Sequence, residues 1–141
     1  MRPIAVGLMF AAAALIAQAA TPRTPSPAGA EVYFQSPADG ATVKSPVTVR
    51  FGLKGMGVAP AGIKFDDTGH HHLLIDTEVP ANLDLPLPAN DKVVHFGKGQ
   101  TETTIELPPG KHTLQLVLGD MLHVPHDPPV ISKRITITVE P

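Results

Sequence analysis

The 141-residue chain has no cysteine and no tryptophan, and aromatic residues make up only 4% of it. Without thiols there can be no disulfide-stapled scaffold, thiolate zinc site, iron–sulfur cluster or cysteine nucleophile. Charged residues are also scarce, at 17%, and the net charge is −2. That leaves no basic surface for nucleic acid. The sequence contains no G-x-S-x-G elbow, no phosphate-cradling G-x-x-x-x-G-K-[ST] and no dinucleotide fingerprint. The four serines (Ser26, Ser36, Ser45 and Ser132) stand in no recognisable nucleophile context.

Proline is abundant instead. Sixteen prolines, against a usual share of about 5%, argue against a helical bundle. The first nineteen residues have the form of a secretory signal. Arg2 precedes an apolar run from Ile4 to Ile16, and Ala17-Gln18-Ala19 gives an A-x-A cleavage pattern. The run falls short of the ~20 residues that a membrane-spanning helix needs. A periplasmic or secreted location follows, with no stable membrane anchor after cleavage. The absence of cysteine at the cleavage point excludes a lipoprotein. Residues 20–30 are proline-rich and aperiodic, and read as a flexible, solvated tether. Residues 31–141 then form one domain.

From Glu31 onward the punctuation is that of an all-β domain. Strands are expected at Val32–Phe34, Val47–Leu53, His71–Asp76, Thr101–Leu107, His112–Leu118 and Val130–Val139, with a short one around Thr42-Val43. Alternation places Val47, Val49, Phe51 and Leu53 on one face, and likewise Leu114, Leu116 and Leu118, then Ile131, Ile135, Ile137 and Val139. About seven short strands with turn residues between them suit an immunoglobulin-like two-sheet Greek-key sandwich, held by aliphatic packing alone. Two long segments, 54–69 and 77–99, do not read as strand, and loops of that length are usually functional or disordered.

All seven histidines lie within the domain: His70, His71, His72, His95, His112, His123 and His126. On a strand, His70 and His72 point the same way with Cα atoms ~6.5–7 Å apart, so the two rings can share an ion. Pro125, Pro128 and Pro129 stiffen the loop around His123 and His126, which lowers the entropy lost on capturing a ligand. The set His70, His72, His123 and His126, with His95 as a fifth, is the candidate metal site, expected at one pole of the sandwich. Asp76, Asp120 and Asp127 are on hand to orient the free ring N–H groups. Imidazole without thiolate suits copper or zinc, with Met56 or Met121 as a soft axial contact for copper. Binding is expected to fail as pH falls through ~6.5, where imidazole protonates. The same residues are compatible with a hydrogen-bonded polar cluster or with independent surface positions. His112 reads as a structural histidine at the core edge, and His71 as a packed or solvent-facing strand residue.

The segments TGHHHLLID and HVPHDPPVISKRITITV, together with SPADGATVKSPVTVRFGLKG and HFGKGQTETTIELPPGKHTLQLVLGD, resemble the bacterial family catalogued as domain of unknown function 4399. The resemblance runs from Val32 to Val139. It implies a periplasmic domain in which histidines 70 to 72, 95, 123 and 126 belong to the family pattern, and it supplies no activity. Three functions remain: binding of a divalent copper or zinc ion, a non-catalytic module contacting an envelope protein, and a small metal-dependent enzyme.

Overall fold

The computed structural model describes residues 22–141; the signal expected over residues 1–19 lies outside that range. Among the described residues there are nine strands and no helix. They are β1 (Glu31–Ser36), β2 (Thr42–Val43), β3 (Val47–Lys54), β4 (Gly57–Val58), β5 (Thr68–Ile75), β6 (Val93–His95), β7 (Glu102–Ile105), β8 (Gly110–Gly119) and β9 (Ile135–Val139). One sheet has the order β1-β3-β7; the other has the order β2-β9-β8-β5-β4, with β6 also on β5. The chain is therefore an all-β, two-sheet sandwich. Both long segments turn out to contain a short strand, β4 in the first and β6 in the second. These pair with β5 on the edge that β8 leaves free. The last strand begins at Ile135 rather than Val130, because residues 130–134 pair with β8 only at an isolated bridge from Ile131 to Val117, after which the Ser132 hydroxyl takes the place of a backbone carbonyl in accepting the Leu116 N–H.

The main core lies between the sheets and follows the alternation in the sequence. Val32, Val47, Val49 and Phe51 of the smaller sheet meet Leu73, Leu114, Leu116, Leu118, Ile135, Ile137 and Val139 of the larger one. Each such side chain contributes ~1.5–3 kcal/mol on burial. A second apolar layer covers the outer face of the larger sheet. There Leu74 and Val117 pack with Val93 and with Leu87 from the loop 76–92, and Val79 and Ile131 close the edge. β5 is consequently buried on both faces, which explains its unbroken Leu73-Leu74-Ile75 run. Its odd-numbered residues face the inter-sheet core, and its even-numbered residues lie under the loops. The site is built on that second face.

Residues 22–30 depart from the expected solvated tether. They run along the loop that follows β8, with a backbone bridge between Pro25 and Asp127 and with Arg23 largely buried. Their composition is polar and proline-rich, but the backbone donors and acceptors they bring find partners about a hundred residues away in the chain.

Candidate metal centre

Four imidazoles converge on the outer face of the larger sheet. Strand alternation puts His70 and His72 of β5 on this face beside Leu74. β6 lays His95 directly opposite His72 in the antiparallel register, so its ring joins the same face. The fourth ring comes from the turn after β8. There the Asp120 Oδ1 accepts the Leu122 and Val124 N–H groups at 2.9 and 3.1 Å, and the Asp120 carbonyl accepts the His123 N–H at 2.9 Å. This tight turn holds His123 at φ 66°, a left-handed conformation uncommon for a residue with a side chain. The Leu87 N–H then donates to the His123 carbonyl at 2.9 Å and draws the loop 76–92 over the cluster.

The ring nitrogens are close together. His123 Nδ1 lies 2.9 Å from His70 Nε2, 3.2 Å from His72 Nε2 and 3.0 Å from His95 Nδ1. One nitrogen from each of His70, His72 and His123 falls within 4.8 Å of the others. The rings of His72 and His95 meet edge to face, with centroids 4.4 Å apart. Nitrogens bound to one ion at ~2.0–2.1 Å in a tetrahedron stand about 3.4 Å from one another; the contacts to His123 Nδ1 are a little shorter, and His95 joins the group through His123 alone, outside the three that lie mutually within 4.8 Å.

Backbone carbonyls fix two of the tautomers. His72 Nδ1–H donates to the Val117 carbonyl at 3.3 Å, and His95 Nε2–H donates to the Pro88 carbonyl at 2.8 Å. A carbonyl only accepts, so the other nitrogen of each ring carries a lone pair, and both lone pairs point at His123 Nδ1. A single proton on His123 Nδ1 or on His70 Nε2 answers one contact and leaves at least two lone pairs without a donor. An additional proton or a metal cation would answer them.

The protein disfavours the proton. Burial pushes His72 down to about 2, and the neighbouring rings of His70, His95 and His123 push the same way. Burial likewise brings His70 down to about 4, followed by His123 and His95. His123 is lowered by burial and by His95, against a smaller opposing pull from Asp120. Burial therefore favours the neutral form of His70, His72 and His123, the form that coordination requires.

The floor of the cluster is Gly119. A Cβ there would stand 2.5 Å from His72 Cε1, so only glycine lets the ring lie down on β8.

The remaining candidates lie elsewhere. His126 is fully buried but not in the cluster: its Nε2–H donates to the Thr68 carbonyl at 3.1 Å and its ring lies against Gly69, whose position on β5 faces the inter-sheet side. Sequence spacing sets no direction for a side chain in a loop, and the turn at His123 sends the two rings to different faces. His71 also points inward, tilted on Phe51 at 5.0 Å between centroids. Asp76 binds His112 Nδ1 at 2.7 Å, with the opposite ring nitrogen donating to the Pro108 carbonyl at 2.8 Å, which makes His112 the structural histidine that its position suggested. Asp127 is exposed and touches its neighbours through its backbone. Asp120 does belong to the site, shaping the His123 turn rather than holding a ring nitrogen. Met56 packs on the main core, and Met121 lines a separate cavity of about 330 Å³ with Phe65 and Asp66. Neither joins the cluster. The site expected at one pole of the sandwich thus lies on the outer face of the larger sheet. The carbonyls of Val117 and Pro88 and the bare surface of Gly119 were not identified from sequence, because a backbone atom leaves no residue-type signal.

A family model described as Domain of unknown function (DUF4399) matches residues 49–140. The match opens within β3, later than the Val32 start of the sequence resemblance, and covers all four clustered histidines. No curated protein and no solved structure matches the chain.

Proposed function

This chain belongs to the family Domain of unknown function (DUF4399), and we propose that it binds one divalent transition-metal ion, copper or zinc, through His70, His72, His95 and His123. The observation that carries this reading is the group of ring nitrogens from His70, His72 and His123 within 4.8 Å of one another, joined by His95 Nδ1 at 3.0 Å from His123 Nδ1, with carbonyls behind His72 and His95 that fix their lone pairs toward the centre. Such backing is the usual arrangement around a ligating histidine. An all-imidazole donor set suits zinc(II) or copper(II) and offers no thiolate to a softer ion. Four protein ligands fill a tetrahedral shell, whereas catalytic zinc keeps one position open. That supports holding or carrying the ion over turning over a substrate. The leader pattern in residues 1–19 supports export, so the ion would be met in the periplasm.

The test is metal analysis and calorimetric titration of protein purified without an affinity tag, beside His72→Ala and His123→Ala. One ion per wild-type chain, with affinity reduced at least 100-fold in both variants, is the expected result. The same trace, sub-stoichiometric metal in all three proteins would end the reading.

A further inference from the structure

Asp120 closes the turn that carries His123, but the segment that follows it depends on contacts from elsewhere in the chain. Pro125, Pro128 and Pro129 have no N–H to donate, so the segment 124–129 cannot build its own ladder and its carbonyls need donors from outside. Residues 23–26 supply them. Arg23 Nε donates to the Pro125 carbonyl at 3.1 Å, and its guanidinium also binds the His126 carbonyl. Ser26 N–H donates to the Asp127 carbonyl at 3.1 Å, the Asp127 N–H returns a bond to Thr24 at 2.9 Å, and Ser26 Oγ reaches the Pro128 carbonyl at 2.6 Å.

The most consequential contact is that of Thr24. Its hydroxyl donates to Asp120 Oδ2 at 2.6 Å, while Oδ1 of the same carboxylate holds the turn that presents His123. Arg23 also lies 3.9 Å from Asp84, on the loop whose Leu87 binds the His123 carbonyl. One short segment thus touches both loops that roof the histidine cluster.

We propose that residues 23–26 act as a latch on the metal loop, and that Thr24 and Arg23 are positioning residues which set how tightly, and for how long, the ion is held. This rests on the metal-binding reading above and adds a control point to it. The cluster has three ligands on paired strands and one on a turn. The turn ligand, His123, is the one free to swing away, and the latch closes that exit. A strained left-handed residue also needs its surroundings to hold it. Fixing a ligand's orientation from outside the coordination shell typically changes affinity by ~10–100-fold.

The experiment uses the chain from residue 20 onward, with zinc(II) as the probe and a competing chelator to read the dissociation rate. Thr24→Val and Arg23→Ala are compared with wild type and with the hydroxyl-retaining Thr24→Ser. The latch predicts dissociation ~10–100-fold faster in Thr24→Val and Arg23→Ala, restored in Thr24→Ser. It also predicts faster amide exchange at Leu122 and Val124 in metal-free Thr24→Val, with exchange in β5 and β8 unchanged. Wild type that binds zinc while both variants release it within twofold of the wild-type rate would overturn the latch alone. Wild type that binds no zinc would overturn the metal reading, and with it the latch's role in retention.

Discussion

Two histidine neighbourhoods in this small domain differ in one respect that decides what each can do. At His112 both ring nitrogens are answered: Asp76 takes Nδ1 at 2.7 Å and the Pro108 carbonyl takes Nε2 at 2.8 Å. With two acceptors the ring prefers to be charged, and the bond to Asp76 raises its pKa above the ordinary value. At His72 and His95 only one nitrogen of each ring is answered, by a carbonyl, and the other faces more nitrogen. Burial holds His72 neutral. The first environment is a finished structural contact, whereas the second leaves lone pairs that could hold a cation. Histidine content alone does not separate the two; the partner of the second nitrogen does.

Substitution should break the contrast most sharply. His95→Ala removes a lone pair from the centre and should lower zinc affinity at least 100-fold by calorimetry. His112→Ala should leave one ion per chain and instead lower stability by the ~1.5–3 kcal/mol of a hydrogen bond to a charged partner, read in thermal melts. Equal metal loss in both would erase the distinction. Next in size is Gly119→Ala. The added methyl meets His72 Cε1 at 2.5 Å, and overpacking of this kind costs ~1–3 kcal/mol. Metal affinity should fall by more than tenfold in a protein that still folds, as circular dichroism and titration together would show.

Titration sharpens the contrast, because the two neighbourhoods respond to pH with opposite sign. In the cluster, His70 is brought down to about 4 and His72 further, to about 2, mainly by burial. Between pH ~6.5 and 4 the unfolded chain therefore binds protons that the folded metal-free chain refuses, and stability falls as the solution is acidified through that window. His112 is raised by its bond to Asp76. Its contribution is complete below the unfolded value of ~6.5 and is lost as pH rises through the folded value. At Asp76, partial burial pushes the carboxyl up, but the bonds from His112 and the Thr113 N–H outweigh this and lower it, so its share is lost only in acid. In thermal melts the destabilisation caused by His112→Ala should be larger at pH 6 than at pH 9. A penalty that does not change with pH would contradict the assignment. For metal binding, the depressed rings move the expected loss below the ~6.5 inferred from ordinary imidazole. The smallest effect belongs to Asp127→Ala, whose carboxylate holds nothing in the site; zinc affinity should stay within twofold of wild type.

Strand alternation explains why much of this was legible in advance. The period of two in Leu114, Leu116 and Leu118, and in Ile135, Ile137 and Val139, marks the core face of β8 and β9. The same period separates His70 and His72 from His71. His95 could be suspected but not placed, because β6 is three residues long and its partner lies about twenty residues earlier in the chain. His126 was grouped with His123 through nearness in sequence, which carries no directional information outside a regular element. Residues 22–30 read as solvent-borne because composition does not reveal that the carbonyls of a proline-rich loop lack donors. Local rules reached the faces of strands; loop directions and tertiary hydrogen bonds were beyond them.

The most direct test is long-range proton–nitrogen NMR of the histidine side chains, recorded before and after one equivalent of zinc(II) is added to untagged protein. The account predicts an Nδ1–H tautomer for His72 and an Nε2–H tautomer for His95 in the free protein. On zinc addition, one nitrogen in each of His70, His72, His95 and His123 should move to a metal-bound shift while His112 stays where it was. Spectra in which those four rings do not respond, or in which zinc perturbs His112 or His126 instead, would contradict it.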